Sequence, residues 1–131
     1  MTSVTASTGK DKYKTQIKTA NHTFIVDEPL SVGGKDLGPK PGELLAASLA
    51  SCTGITLRMY ADRKGWDLQE TMIEVTTESN ILENNTKFNM NIRLFGNLDA
   101  EQRLKLLEIA NKCPIHKILE NTILVQTFLK D

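Results

Sequence analysis

Two cysteines are the residues of this chain whose type and setting could do chemistry. Cys52 lies within residues 44–57, a run without any charged side chain, and Cys113 immediately precedes Pro114. A thiolate is a nucleophile, whereas a thiol in apolar surroundings behaves as inert packing. A second thiol gives the first something to react with, so the function depends on whether the fold brings the two together.

The surroundings of the two cysteines predict different behaviour. Cys52 lies about ten residues into a predicted helix, where the helix dipole helps it little, so its activation requires a side chain from elsewhere. Cys113 can cap the helix that begins at Pro114, and a thiolate is favoured at that position. His116 lies three residues further on. It is either the partner of Cys113 in a nucleophilic pair or a histidine at the surface.

Charged residues near Cys52 in the sequence are its candidate activators. Glu43 precedes it by nine residues, which at about 100° per residue puts the two on opposite faces of a continuous helix. Glu43 therefore reaches Cys52 only if the first turn departs from an ideal helix, and its simpler role is to stabilise the positive end of the helix. No arginine occurs before Arg58. Lys35 and Lys40, in the loop before the helix, are therefore either the source of a positive charge that activates Cys52 or solvated loop lysines.

Composition excludes several classes of protein. Sixteen basic and sixteen acidic residues cancel, so nothing indicates binding to nucleic acid or to a membrane surface. The uncharged run over residues 44–57 is too short to span a bilayer. Residues 1–12 lack the apolar core of a signal peptide. We therefore expect a cytoplasmic protein that binds neither nucleic acid nor membrane.

The cysteine count limits the role of metals. Two cysteines without a CxxC spacing exclude a zinc ribbon and a thioredoxin motif, and in a reducing compartment they are free thiols or a redox pair. Cys52, Cys113 and His116 together would supply only three zinc ligands, with no companion motif. We expect neither a metal nor a bound cofactor.

The N-terminal third of the chain is predicted to form strands and a loop. Residues 1–10 are rich in Ser and Thr and are expected to be flexible. Weak alternation predicts an edge strand over 12–20, and a second strand is predicted over 22–27. Residues 28–41 hold three of the four prolines and three of the eight glycines. They form a long loop, which favours a binding or hinge role.

A long helix carries Cys52. Pro41 suits its first position, and Gly65 stops it after Lys64. Six residues have little or no side-chain volume, so another backbone or a ligand can approach closely: Ala46, Ala47, Ser48, Ala50, Ser51 and Gly54. Because the helix is uncharged for nearly four turns, it is buried on more than one side. In so short a chain this predicts that a partner subunit covers part of it.

The second half of the chain positions Cys113. Strands are predicted over 67–79 and 86–95, joined by a polar turn. A second helix begins after Asp99, whose side chain forms a capping box with Gln102.

A short third helix is predicted from Pro114 through Leu119, and residues 122–129 are predicted to close the fold as a strand. The order ββ–α–ββ–α–α–β indicates an α+β fold with antiparallel pairing, in a single domain over residues 1–131.

Several segments resemble the OsmC-like proteins. They are Gly33–Leu45, Ala50–Cys52, Tyr60–Trp66, Gly96–Asp99, Leu107–Ala110 and Cys113–Lys117. The resemblance covers about residue 22 to the C-terminus, with both cysteines in register. It implies an OsmC-like fold, in which central Cys-bearing helices pack against antiparallel sheets in an intertwined homodimer with active sites at the subunit interface.

The same resemblance implies a thiol-dependent, peroxiredoxin-like peroxide reductase that prefers organic hydroperoxides and serves oxidative stress defence. Cys52 looks like the peroxidatic cysteine, whose thiolate attacks the O–O bond and becomes a sulfenic acid. Cys113 looks like the resolving cysteine, which condenses with it to a disulfide. An external dithiol, such as a lipoyl group, would reduce that disulfide. Glu43 and His116 are supporting candidates.

Two departures from the family pattern concern the activation of Cys52. The best-defined hydroperoxide reductases resemble one another in having a glutamate where this chain has Gly42, one residue before Glu43. They also have an arginine upstream of the Cys helix, and this chain has none there. The chain looks closer to a less characterised OsmC-like branch.

One alternative function is that of a stress protein that binds a small apolar ligand or senses redox state, with weak or no peroxidase activity. Another is a hydrolytic or acyl-transfer enzyme that uses Cys113 with His116.

Overall fold

A computed structural model describes residues 1–130 of the chain, with the element order βββ–α–ββ–α–α. The elements are β1 (Thr5–Thr8), β2 (Thr15–Lys18), β3 (Thr23–Val26), α1 (Pro41–Lys64), β4 (Asp67–Asn80), β5 (Asn85–Asn97), α2 (Ala100–Ala110) and α3 (Pro114–Glu120). This order confirms the predicted α+β class. The chain divides between Leu45 and Ala46 into two compact units, and the assignment of residues 1–131 to a single domain stays a prediction.

A three-stranded antiparallel sheet in the order β1–β2–β3 forms most of the N-terminal unit. Residues 5–8, expected to be flexible, form β1. The strand predicted over 12–20 is confirmed as β2, but its prediction as an edge strand is wrong, because β1 pairs with β2 and makes β2 the central strand. β1 is exposed along its length, so it lacks the alternation of apolar and polar residues from which a strand is recognised.

The buried carboxylate of Asp27 organises the loop that follows β3. It accepts hydrogen bonds from four backbone N–H groups at 2.7–3.3 Å, those of Tyr13, Glu28, Lys35 and Leu37. Burial by itself would raise the pKa of Asp27, but the four donors outweigh it and hold that pKa below its usual range. The predicted loop over 28–41 is thus confirmed up to the start of α1, with one 3₁₀ turn at Leu30–Val32.

We expect Asp27→Asn to loosen this loop at neutral pH. Because the folded-state pKa of Asp27 lies below its unfolded value of about 3.9, its stabilisation is present above about pH 4 and is lost as pH falls through the folded-state pKa. Hydrogen exchange at the Lys35 and Leu37 amides should therefore be faster in the variant at pH 7. Asp36→Asn, which alters an exposed carboxylate of the same loop, is the matched control. Equal exchange in wild type and Asp27→Asn would contradict the assignment.

The predicted bounds of the Cys52 helix are confirmed, since α1 spans Pro41–Lys64. Gly65 follows with φ of 69°, in the left-handed region that glycine adopts without steric cost. Near this end Arg58 donates to Asp62 at 3.1 Å and to the Gln69 carbonyl at 3.2 Å. These contacts are those of an ordinary helix C-terminus.

The surface of α1 is apolar and largely uncovered within one chain. By length and composition alone the helix would suit a membrane span, and only 22% of its most apolar 18-residue window is buried. Ile55 and Met59, one turn apart, are both exposed. One copy of the chain therefore leaves an apolar helical face without a cover.

A hairpin and α2 complete the core of the C-terminal unit. β4 and β5 pair antiparallel from Asp67 opposite Asn97 to Asn80 opposite Asn85, as predicted. At Gly54 a Cβ would lie 3.3 Å from Thr71 Oγ1, so glycine lets α1 approach β4 closely. The buried core residues are Leu57, Tyr60, Ala61, Leu68, Leu98, Leu106, Ile109 and Ala110.

The two short helices begin as the sequence predicts. Asp99 caps α2 and forms the capping box with Gln102, and α3 begins at Pro114. The prediction of a closing strand over 122–129 is wrong. These residues are exposed and pair with no strand of the described chain, and a strand requires a neighbour for its backbone hydrogen bonds.

Candidate active site

Cys113 is held at the junction of α2 and α3. It is the N-cap of α3, with extended backbone angles and Pro114 in the first helical position. Its Sγ accepts a hydrogen bond from the His116 backbone N–H at 3.2 Å, and the residue is fully buried. The prediction that Cys113 caps the third helix is confirmed.

Cys113 lies against the part of α1 that carries Cys52, because its Sγ is 3.7 Å from Oγ1 of Thr53, the next residue in the helix. Both cysteines are free thiols, and each affects the pKa of the other. Cys52 is partly exposed, whereas Cys113 has no exposed surface. The Ile115 backbone and the Thr56 hydroxyl each act to lower the pKa of Cys52. The site is therefore a pair of neighbouring cysteines, of which Cys52 is partly exposed and Cys113 is fully buried.

Thr53 is a contact of this site that sequence reasoning missed. The residue is fully buried, and its Oγ1 lies 3.7 Å from Cys113 Sγ and 3.5 Å from Met90 Sδ on β5. A hydroxyl in an otherwise apolar helix must find a partner when it is buried. This rule could have drawn attention to Thr53 and Thr56 in the sequence, but it does not identify the group with which each hydroxyl interacts.

The two thiols have opposite pKa shifts. Burial raises the pKa of Cys52, and the Cys113 sulfur raises it further. The Ile115 backbone and the Thr56 hydroxyl lower this pKa, but by less. Burial would raise the pKa of Cys113 as well, but hydrogen bonds from His116 N–H, the Cys52 thiol, the Thr53 hydroxyl and Ile115 lower it overall.

His116 contacts Cys113 through its backbone. Its imidazole Nε2 lies 2.8 Å from Glu120 Oε1, and the buried Nδ1 has no hydrogen-bond partner within residues 1–130. The hydrogen bond to the sulfur comes from the main chain. The ring therefore has no contact that would make it the general base of a nucleophilic Cys113.

The other candidate activators have partners of their own in the N-terminal unit. Glu43 Oε1 accepts a hydrogen bond from the Lys40 backbone N–H at 3.0 Å, as a residue of the first helical turn does. Lys35 pairs with Asp11 at 2.7 Å, and both side chains are more than half exposed. The hydrogen bond that Lys35 donates to Asp11 raises the pKa of Lys35. These contacts match the simpler roles considered for Glu43 and Lys35.

Two further kinds of site can be compared with the thiol pair. Within residues 1–130, no group of three or more His, Cys, Asp or Glu side chains could hold a metal ion. An open groove of about 590 Å³ lies elsewhere on the C-terminal unit. Neither cysteine lines it; its lining residues are Tyr60, Lys64, Trp66, Asp99, Glu101, Gln102, Leu104, Lys105 and Glu108.

Known proteins of similar sequence and fold bear on this site. The family model of OsmC-like proteins matches residues 33–128, whereas no curated protein matches the chain. A Psychrobacter arcticus protein, described as an osmotic stress induced and detoxification response protein, is 26% identical over 90% of this chain and 88% of that one, with a TM-score of 0.76.

Two structures below 25% identity show the same fold. The OsmC-like protein of Mycoplasma pneumoniae is 17% identical over 92% of this chain and 87% of that one, with a TM-score of 0.78. The organic hydroperoxide resistance protein OhrB of Bacillus subtilis is 23% identical over 92% and 90%, with a TM-score of 0.63. The chain therefore shares the mixed α+β fold of these proteins.

Proposed function

Because the chain belongs to the family of OsmC-like proteins, we propose that it is a thiol-dependent peroxide reductase of oxidative stress defence. Membership of this family suggests a function in peroxide handling or the stress response. The finer assignment rests on the site. Cys52 is the proposed peroxidatic residue and Cys113 the proposed resolving residue.

The observation that carries the proposal is that a partly exposed and a fully buried free thiol are neighbours, since Cys113 Sγ lies 3.7 Å from the side chain of Thr53, the residue after Cys52. In this proposal peroxide reacts at the partly exposed Cys52, and Cys113 is near enough for each thiol to affect the pKa of the other. A sulfenic acid formed at Cys52 would therefore meet Cys113 before it could be oxidised further.

Organic hydroperoxides are the proposed substrates, and a dithiol of the lipoyl type is the proposed reductant. The site lies beside an apolar helix and the buried core, which favours a substrate with an apolar group. One neighbour of the same fold, from Bacillus subtilis, is an organic hydroperoxide resistance protein. No metal or bound cofactor is required, and we propose a cytoplasmic location.

Steady-state turnover tests this assignment of substrate and reductant. We expect consumption of cumene hydroperoxide to exceed that of hydrogen peroxide at least about tenfold when dihydrolipoamide is the reductant, because the apolar group contributes binding free energy. Glutathione is the monothiol control for the reductant. Equal rates with both peroxides would contradict the substrate preference, and no turnover with either would contradict the enzyme assignment.

A homodimer is the proposed assembly. The exposed apolar residues of α1 form a face that water does not favour, and a second copy of the helix would cover it. The C-terminal segment adds further exposed apolar side chains, at Ile123, Leu124, Val125, Phe128 and Leu129. A helix with an uncovered apolar face and a C-terminal segment with exposed apolar side chains are what a chain presents when half of its interface is missing.

We expect Met59→Glu to convert the dimer into a monomer, since the side chain of Met59 is 67% exposed on α1 and a charge there would be desolvated in the interface. Light scattering coupled to size-exclusion chromatography measures the mass. Leu104→Glu, at an exposed position of α2, is the control that should remain dimeric. A monomeric wild type would contradict the proposed assembly.

One observation favours the alternative of a redox sensor with weak peroxidase activity. Burial and the Cys113 sulfur raise the pKa of Cys52, so only a small fraction of this thiol is ionised at neutral pH. A sensor would form the same disulfide stoichiometrically, but it would not turn over with the dithiol reductant.

A further inference from the structure

The buried hydroxyl of Thr53 is directed at sulfur. The residue has no exposed surface, and its Oγ1 lies 3.7 Å from Cys113 Sγ and 3.5 Å from Met90 Sδ. Two residues earlier on α1, the Ser51 hydroxyl instead donates to the Ala47 carbonyl at 2.7 Å, as hydroxyls within helices commonly do. The Thr53 hydroxyl thus has its contacts on β5 and at the α2–α3 junction.

Two donors meet at the Cys113 sulfur. The His116 backbone N–H donates to it at 3.2 Å, and the Thr53 hydroxyl approaches it from α1. Such donors stabilise a thiolate more than a thiol, because hydrogen bonds to an ionised acceptor are roughly twice as strong as those between neutral groups. The thioether of Met90 is uncharged, so the single hydroxyl proton of Thr53 favours Cys113 whenever that sulfur carries a negative charge.

The two cysteines differ in their access to an external reductant. Cys52 is partly exposed, whereas Cys113 is fully buried. In thiol–disulfide exchange the attacking thiolate must reach one sulfur of the disulfide, and the other sulfur leaves as a thiolate. The exposed sulfur is therefore the one that a dithiol attacks, and the sulfur that meets the two donors is the one that leaves.

We propose that Thr53 is a further catalytic residue, whose hydroxyl stabilises the Cys113 thiolate that leaves when a dithiol attacks Cys52 in the Cys52–Cys113 disulfide. This inference rests on the proposed peroxide reductase function, and it assigns a direction to the reductive half of that reaction. The His116 N–H supports the same leaving group from the main chain.

The reduction proceeds in two exchanges. A thiolate of the dithiol attacks Cys52 Sγ, an S–S bond forms between them, and the Cys52–Cys113 bond breaks with its electron pair on Cys113. The second thiol of the reductant gives its proton to solvent and attacks the first sulfur of the reductant, so that Cys52 leaves as a thiolate. The protein gains two electrons, and the dithiol loses two and becomes a cyclic disulfide.

Trapping the first exchange identifies the sulfur that is attacked. The oxidised wild-type protein is mixed briefly with 2-mercaptoethanol, quenched with acid, alkylated with N-ethylmaleimide and mapped by peptide mass spectrometry. We expect the mercaptoethanol adduct on Cys52 and the maleimide on Cys113. An adduct that forms mainly on Cys113 would overturn the inference, and this test requires no variant to fold.

Thr53→Val, which removes the hydroxyl and keeps the shape of the side chain, tests the leaving-group role. We expect kcat/KM for dihydrolipoamide to fall about tenfold, the effect of one hydrogen bond to a charged group. The kcat/KM for cumene hydroperoxide should stay the same, because it reports only the steps through the oxidation of Cys52. Thr53→Ala removes the same hydroxyl and is the second variant in case the first does not fold.

Two further variants separate the hydroxyl of Thr53 from its place in the fold. Thr53→Ser keeps the hydroxyl and should restore the wild-type kcat/KM for dihydrolipoamide. Ser51→Ala removes an exposed hydroxyl that bonds within α1 and should change neither kcat/KM value. If Thr53→Val lowers both values equally, or lowers neither, the role of Thr53 is overturned.

The outcomes separate this inference from the proposed function. If the wild-type protein turns over through a Cys52–Cys113 disulfide but the adduct maps to Cys113, or the two kcat/KM values do not separate, the inference is overturned while the peroxidase assignment stands. If cumene hydroperoxide produces no disulfide in the wild type, the proposed function fails and the inference fails with it.

Discussion

Cys52→Ser is expected to reduce organic hydroperoxide consumption to the uncatalysed background. The serine hydroxyl cannot become the nucleophile that a thiolate is at neutral pH, so the loss should be on the order of 10³-fold or more. The measurement is turnover of cumene hydroperoxide with dihydrolipoamide, together with the far-ultraviolet circular dichroism that reports folding. The substitution conserves size and lies at a partly exposed position, so the fold should remain intact.

Ser51→Ala is the matched control for this prediction. It lies beside Cys52 on α1, is exposed, and bonds to the Ala47 carbonyl at 2.7 Å. We expect its turnover to equal that of wild type. Turnover retained by Cys52→Ser would move the nucleophile to another residue and contradict the assignment of Cys52.

Leu106→Ala is expected to cause the largest loss of stability, about 2–5 kcal/mol of unfolding free energy. Leu106 is fully buried on α2 among Leu57, Ala61 and Ala110, and truncation would leave a cavity in this core. Urea denaturation followed by circular dichroism measures the change. Because a domain of this size is stable by about 5–15 kcal/mol, the variant should stay folded in the absence of denaturant but unfold at a clearly lower urea concentration.

Leu104→Ala, two residues earlier on the same helix, separates packing from helix propensity. Its side chain is 70% exposed, so the same substitution should change stability by no more than about 0.5 kcal/mol. Equal losses in the two variants would show that the core described around Leu106 is not what stabilises the fold.

Local signals account for the elements that the sequence predicted correctly. The bounds of α1 follow from Pro41 and Gly65, and the start of α2 follows from the capping box of Asp99 and Gln102. The cap at Cys113 follows in the same way from the proline after it. Each of these signals acts within a few residues of the chain, which is why one sequence suffices to recognise it.

Contacts between distant residues account for what the sequence did not predict. Cys52 and Cys113 are 61 positions apart, and only the packing of α1 with the α2–α3 junction brings them together. Thr53 is an ordinary helical threonine until the fold gives its hydroxyl a sulfur partner. Residues 122–130 have a strand-like composition, but a strand requires a paired edge that one described chain does not supply.

The measurement that tests the central claim most directly is intact mass with a thiol count after one equivalent of cumene hydroperoxide. A Cys52–Cys113 redox couple predicts that each chain loses the mass of two hydrogen atoms and both free thiols, and that either cysteine substitution abolishes this change. Unchanged mass and thiols after treatment of the wild type would contradict the redox couple and favour a ligand-binding role for the fold.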